Sequence, residues 1–345
     1  MSPPMNSLNT DSPTSTIPNA KTPKSRHGGL LFALLIILIL AAVTALNKQA
    51  IEDWWRLRQY NPPTAIVQLA NQNTMTDYGR KLFYINKPEV ASKIDFSKRC
   101  LNRDKEQTIV LGCYHGIQNG IYVLRVDDER LDGVEQVTAA HEMLHAAYDR
   151  LGSSERAKVD DMLDDYYKNG LKDERIKNVI DLYKKTEPND LVNEMHSIFG
   201  TEISSLPVNL EQYYSQYFTK RSTIVNYANT YRVAFLKLQN QVKDYDSQLT
   251  TQKTQIDNLQ ADLKSQLGVI NTRQQAMNSI RSTNPVAYNA MVNDYNRLVR
   301  EYNQGVSDLQ GQIVTYNELV VARNAVAVQE EQLVNALRAD VVEVK

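Results

Sequence analysis

Two histidines and a glutamate in the stretch VTAAHEMLHAAYD, residues 137–149, have the types and the spacing needed to bind and use a metal ion. His141 and His145 are four residues apart, so in a helix they project from one face, one turn apart. Two imidazole nitrogens at that separation can both bind one tetrahedral Zn²⁺ at about 2.0–2.1 Å. Glu142 follows the first histidine and is placed to act on a water molecule rather than to bind the ion. The spacing therefore predicts a hydrolytic zinc site.

The alternative is an ordinary helix with two functionless histidines. The chain contains only five histidines, and the residues around this pair are apolar and mostly small: Val137, Ala139, Ala140, Leu144, Ala146 and Ala147. Such a helix is suited to burial, where a glutamate and two histidines need a compensating partner. The sequence therefore favours a metal site on a buried helix over residues 134–150.

This His-Glu-x-x-His arrangement resembles that of the zincin-type zinc metallopeptidases. Their metzincin branch would require Gly and His where this chain has Tyr148 and Leu151, which excludes that branch. Further along, Asn193 and Glu194 precede Ile-Phe-Gly at 198–200. This is similar to the second motif of the thermolysin-like gluzincins, with one residue fewer between Glu and Ile. The resemblance implies a zincin-like fold, Zn²⁺ as cofactor and Glu194 as the third protein ligand.

The residues themselves leave other third ligands open. His196 lies on the same predicted helix as Glu194 but on its opposite side, so both cannot easily serve one ion. A packed structural histidine is the simpler interpretation of His196. Asp149, one turn beyond His145, is expected to lie outside the ligand set, and Glu202 is a weaker candidate.

The segments before the metal helix predict a small sheet. Residues 108–116 and 120–126 are rich in β-branched and aromatic residues, and the Asn119-Gly120 step between them is typical of a hairpin. The sequence therefore predicts an α+β zincin-like metallopeptidase domain over residues 47–218, mostly helical with a small antiparallel sheet. The strand at 120–126 is expected to hold an extended peptide by strand addition.

The N-terminal region predicts a membrane anchor. Residues 1–28 are rich in Ser, Thr, Pro and Asn and are expected to be disordered. Residues 29–46 are almost continuously apolar, enough for a transmembrane signal-anchor helix. A cell-membrane location with a cytoplasmic N-terminus and an extracytoplasmic catalytic domain is favoured by the basic N-terminal flank, Lys21, Lys24 and Arg26. A signal peptide cleaved near residues 43–45 is the alternative.

The chain has two cysteines, Cys100 and Cys113. No further Cys and no Cys-x-x-Cys spacing support a zinc site here, and two unrelated buried thiols are the alternative. Because the domain is expected to lie outside the cytoplasm, an intramolecular disulfide is favoured.

The C-terminal region, residues 219–345, predicts a coiled coil. Apolar and tyrosine residues recur in steps of three and four over 231–270 and again over 288–320, a heptad pattern. Pro285 separates the two runs, which indicates an antiparallel helical hairpin with arms roughly 80 Å long. Such a hairpin is expected to be a spacer, a self-association arm or a docking element for a protein partner.

Two functions are compatible with this organisation. The first is a membrane-anchored zinc endopeptidase that acts on a peptide or protein substrate, with zinc-activated water and Glu142 as general base. The second is an envelope scaffold in which the coiled coil is the functional part and the metal is structural. That scaffold needs a fourth ligand from His196, Asp149 or Glu202.

Lys and Arg number 39 against 40 Asp and Glu, so nothing indicates a nucleic-acid partner.

Overall fold

The computed structural model describes residues 26–101, 109–116 and 120–340 of the chain. The predicted disordered tail, residues 1–28, lies outside the described residues except for its last three, which begin the first helix. Asn119 of the predicted hairpin turn also lies outside them. The chain divides into two compact units, one ending at Trp55 and the other beginning at Arg56.

The first unit contains helix α1 (Arg26–Leu46) and most of helix α2 (Lys48–Gln59). Helix α1 includes the predicted apolar segment 29–46. Within the described residues no single helix has both the length and the hydropathy to cross a membrane. The segments Leu34–Leu46 and Lys48–Gln59, bent by 68°, meet that test only as a pair.

The second unit is mostly helical and contains one small sheet. Its elements, in chain order, are α3 (Thr64–Gln72), α4 (Asp77–Ile85), β1 (Glu89–Ala91), α5 (Lys93–Cys100), β2 (Gly112–Tyr114), β3 (Ile121–Leu124), α6 (Val134–Asp149), α7 (Ser153–Asp165), α8 (Glu174–Thr186), α9 (Leu191–Glu202), α10 (Val208–Tyr214), α11 (Ser222–Ile280) and α12 (Pro285–Leu337).

The sheet has the strand order β1-β3-β2. Strands β2 and β3 pair in the predicted antiparallel manner, with Cys113 opposite Tyr122. The prediction of a purely antiparallel sheet is wrong, because β1 adds to β3 in parallel and makes the sheet mixed. A strand of three residues leaves too short a pattern to recognise in a sequence. Among the described strands β3 is central, so it has no free edge for an added peptide, whereas β2 is an edge strand that packs against α6.

Helix α6 is the centre of the unit and matches the predicted helix over residues 134–150. Thirteen of its sixteen residues are buried, and it packs against the sheet, α3, α4 and α9. Small residues allow this close packing on several sides. A Cβ added at Gly200 of α9 would lie 2.4 Å from Leu144 Cδ1. The crossing of α6 and α9 therefore depends on glycine at that position.

Helices α11 and α12 form the predicted long hairpin. At 59 and 53 residues, they are about 80–90 Å long. Helix α12 begins where expected, because Asn284 Oδ1 accepts a hydrogen bond from the Ala287 amide and Pro285 occupies the first turn.

The base of this hairpin belongs to the core of the second unit. Ile224 and Ala228 of α11 lie in the same hydrophobic core as α6. Further along, Leu238 packs with Leu333 of α12 and with Val134 at the start of α6. The first turns of α11 therefore help to position α6. The domain boundary between residues 218 and 219 stays a prediction.

Candidate metal centre

Helices α6 and α9 bring the predicted ligands together. His141 and His145 project side by side from α6, with ring centroids 4.7 Å apart. Glu194 approaches from α9, with Oε2 3.6 Å from His141 Nε2 and Oε1 3.5 Å from His145 Nε2. One ligand atom from each of the three residues lies within 4.8 Å of the others. This buried group could hold a metal ion.

The group has the properties of a site that fits a cation. Glu194 is only 8% exposed, and its Oε2 is buried without a hydrogen-bond partner in the described part of the chain. A buried carboxylate oxygen in that state is costly unless a cation compensates it. Two imidazole nitrogens and one carboxylate fit Zn²⁺, and they also fit other first-row divalent ions.

Asn193 orients one of the two histidines. His145 Nδ1 lies 3.0 Å from Asn193 Oδ1. Because a carbonyl oxygen only accepts hydrogen bonds, Nδ1 carries the proton and donates it, which leaves the Nε2 lone pair directed at Glu194. The sequence motif contained Asn193, but this role follows from the crossing of α6 with α9.

Burial and the neighbouring charges set the protonation of the group. Burial lowers the pKa of His145 to about 4, although Glu194 opposes the shift. Burial also tends to lower the pKa of His141, but contacts with Glu194 outweigh it and the net shift is upward. For Glu194, burial tends to raise the pKa, but contacts with the two histidines hold it below its ordinary value. An ionised Glu194 and a neutral His145 are the forms that bind a metal.

Glu142 lies beside the group and is not part of it. Its side chain is buried, at 6% exposure, beneath strand β2. A Cβ added at Gly112 of β2 would lie 2.5 Å from Glu142 Oε1, so the strand can cover the glutamate only because residue 112 is glycine. Burial raises the pKa of Glu142 to about 8, with His141 opposing and Glu194 adding to the shift. This environment suits a group that exchanges protons near neutral pH.

These residues lie in a cleft of about 490 Å³ whose walls come from β2, α6 and the α8–α9 region. Tyr183 of α8 also lines it. Burial, followed by the negative charge of Glu194, raises the pKa of Tyr183 above its ordinary value. Its protonated hydroxyl can therefore donate to Glu194 and steady that carboxylate. The sequence did not indicate this role, because a tyrosine in an amphipathic helix is most simply a packing residue.

The other acidic and histidine candidates lie outside the three-residue group. His196 is fully buried, and its Nε2 lies 2.9 Å from the Tyr213 hydroxyl in a cluster of tyrosine rings. Glu202 pairs with Arg175. Asp149 lines the cleft but does not join the group. His196 therefore has the packed environment that the simpler interpretation expected.

The two cysteines lie at disulfide distance, as predicted, with Cys100 and Cys113 Cα atoms 5.7 Å apart. They connect the end of α5 to strand β2. Successive side chains of a strand point to opposite faces. Cys113 therefore faces α5, whereas Gly112 lies over Glu142. The disulfide holds the strand that covers the proposed general base.

Comparison with family models, with curated proteins and with solved structures found no match to this chain.

Proposed function

We propose that this chain is a membrane-anchored, zinc-dependent endopeptidase in which Glu142 is the general base. The observation that carries the proposal is the approach of His141, His145 and Glu194 to within 4.8 Å of one another, next to the buried Glu142. A catalytic zinc site has three protein ligands and an open position. Among the described residues, no fourth His, Cys, Asp or Glu joins the group.

The residues of the chain would divide the chemistry between them. A bound zinc would supply a Lewis acid that polarises the scissile carbonyl and makes water more acidic. Glu142 would take the proton of the attacking water and pass it to the departing amine. Asn193 would hold the His145 ring, and Tyr183 would hold Glu194, so both act as positioning residues.

We expect the substrate backbone to bind along strand β2. It is an edge strand of the sheet, and Gly112 and Tyr114 line the cleft. An extended peptide can add to such an edge through main-chain hydrogen bonds. Gly112 lies over Glu142, so a peptide paired beside it would have a bond next to the general base.

The scaffold alternative requires a closed metal site with a fourth protein ligand. The His196 side chain lies among tyrosine rings, and Glu202 is engaged by Arg175. Asp149 lines the cleft without joining the ligand group. The absence of a fourth ligand in the described part of the chain favours the peptidase.

The proposed location is the cell membrane, with the apolar segment 29–46 as anchor and the catalytic unit on the extracytoplasmic side. The cysteine pair at disulfide distance supports this side, because disulfides persist mainly in oxidising compartments.

The test uses the full chain purified in detergent, with zinc content and hydrolysis of a denatured protein substrate measured together. Glu142→Gln should keep about one zinc per chain but lose about 10²–10⁴-fold in activity, since one residue serves both proton transfers. His145→Ala should lose both zinc and activity.

Glu155→Gln makes the same chemical change at an exposed residue of α7 and serves as the matched control. It should leave both zinc content and activity unchanged. Full activity of Glu142→Gln, or activity of a zinc-free wild-type protein, would exclude the proposed mechanism.

A further inference from the structure

The described residues that line the cleft around the ligand group include six carboxylates. Four carboxylates line it in addition to Glu142 and Glu194, namely Asp149, Glu187, Asp190 and Glu202. No lysine or arginine is among the described residues that line it. A cleft lined by one sign of charge concentrates ligands of the opposite sign.

These four carboxylates differ in whether the protein itself neutralises them. Glu202 is paired with Arg175. Glu187 and Asp190 are exposed in the turn between α8 and α9 and form no ion pair with any described residue. The positive charge of Arg156 acts on Asp149 and tends to lower its pKa. That guanidinium, however, lies over the Tyr148 ring and does not line the cleft. Glu187 and Asp190 therefore leave carboxylate charge without an ion pair to a described residue at one end of the cleft.

That end is next to His145. Asp149 is one helical turn beyond His145 on α6, and Asp190 is one turn before Glu194. Asp190 also acts electrostatically on Asp149, on His145 and on Glu187. Asp149, Glu187 and Asp190 thus form one group, called here the acidic end.

The cleft also holds one buried carboxylate oxygen that lacks a hydrogen-bond partner among the described residues, independently of the acidic end. Glu194 Oε2 is buried and has no hydrogen-bond partner among the described residues. A buried carboxylate oxygen in this state marks a cleft that receives a ligand.

Strand β2 relates the acidic end to the reacting bond. Gly112 lies over Glu142, and Tyr114 lies beside Asp149. Two residues of a strand span about 7 Å. A substrate that adds to this edge with its scissile bond at Glu142 would therefore bring a side chain about two residues away to the acidic end.

We infer that the cleft selects peptide segments that carry a lysine or arginine about two residues from the scissile bond, held by Asp149, Glu187 and Asp190. This inference rests on the proposed peptidase function. The long aliphatic stem of either side chain can lie along Tyr114 while the charged head reaches the carboxylates. A glutamate at the same substrate position would be repelled.

The test uses a series of fluorogenic peptides of one sequence, in which each position in turn carries Lys, Gln or Glu. With the zinc-loaded full chain, Lys should exceed Glu by about tenfold in kcat/KM at one position about two residues from the cleaved bond. Gln should be intermediate. The preference should shrink between 50 mM and 500 mM NaCl, because salt screens exposed charges.

A charge-reversal pair assigns the preference to the acidic end. Asp190→Lys should abolish the Lys preference or invert it. Asp161→Lys makes the same change of net charge on an exposed part of α7 that does not line the cleft, and should keep the preference. An equal effect of both variants would overturn the inference.

A binding measurement separates failure of this inference from failure of the proposed function. Fluorescence anisotropy of the same peptides with metal-loaded Glu142→Gln reports charge selection without hydrolysis. Cleavage of the Lys and Glu peptides at equal rates, with equal binding, would exclude the charge selection without contradicting the proposed peptidase function. Tighter binding of Lys peptides by a chain that cleaves none of the series would support the selection and contradict the peptidase.

Discussion

At the crossing of α6 with α9, most side chains of both helices are buried, whereas most side chains along residues 240–330, called here the distal hairpin, are exposed. The distal hairpin buries one side chain every seven residues on its first arm, at Ile256, Leu263, Ile270 and Met277. The helical structure of the distal hairpin is therefore specified by a heptad repeat, which is a local sequence pattern. The crossing is instead held by contacts between residues far apart in the chain.

Arg221, at the start of α11, illustrates how the crossing is held. It is 6% exposed, donates to the carbonyl of Ile203 at 2.6 Å and pairs with Glu211. It therefore fixes the chain just after α9, which carries Glu194. The distal hairpin has ion pairs as well, such as Arg323 with Asp246 at 3.0 Å, but these are exposed to solvent. A single substitution should therefore lower the free energy of unfolding strongly at the crossing and only slightly along the distal hairpin.

The largest effect is expected from Arg221→Met, which should lower the free energy of unfolding by about 3 kcal/mol. The change leaves a buried carbonyl unsatisfied and removes the partner of Glu211. Denaturant unfolding at pH 7 measures the loss. A loss below about 0.5 kcal/mol would mean that this buried arginine does no more for stability than a surface residue.

Glu211→Gln tests the Arg221–Glu211 ion pair through the pH dependence of stability. Burial tends to raise the pKa of Glu211, but Arg221 outweighs it and holds the pKa below its ordinary value. A carboxylate with a depressed pKa stabilises the fold above its unfolded pKa, and this contribution is lost as pH falls through the folded pKa. The wild type should therefore exceed Glu211→Gln by about 1 kcal/mol at pH 7, because Glu211 is partly exposed. The difference should shrink as pH falls below the ordinary carboxyl pKa and should disappear once pH is below the depressed folded pKa. A difference in stability that does not change with pH over the acidic range would assign the effect to packing.

Two glycines give a matched pair of intermediate size. A Cβ at Gly200 would lie 2.4 Å from Leu144 Cδ1, whereas one at Gly268 of α11 would meet nothing within 4 Å. Gly200→Ala should destabilise by about 1–3 kcal/mol and weaken zinc binding, because α9 must move away from α6. Gly268→Ala should stabilise by about 0.5–1 kcal/mol through helix propensity. Thermal unfolding and zinc titration of both variants test this, and equal effects would remove the distinction between the two regions.

The smallest effect is expected from Arg323→Ala in the distal hairpin. Its exposed pair with Asp246 should contribute no more than about 0.5 kcal/mol, and less at high salt. Zinc content and peptide hydrolysis should match the wild type. A loss of activity would show that the distal hairpin affects the proposed metal site, contrary to its separation from the crossing of α6 with α9.

The sequence by itself predicted much of the local structure. Helix α6, the helical hairpin and its break at Pro285 match the structure closely, because each depends on residues within a few turns of one another. The cysteine pairing was also predicted, but from the expected compartment rather than from geometry. The three-residue strand β1 was not predicted, because its partner β3 is more than thirty residues away along the chain.

Only the tertiary structure decided which side chains share the site. Glu194 and His196 are two residues apart on α9 and therefore point in opposite directions, so helix periodicity excluded their acting together, and only the resemblance to the gluzincin motif favoured Glu194. The choice depends on which face of α9 packs against α6, and that packing directs Glu194 to the two histidines and His196 to the tyrosines. The gathering of Tyr183 and the acidic end around the same cleft has the same cause. Helix periodicity is a local property, whereas the rotation of one helix against another is set by the whole core.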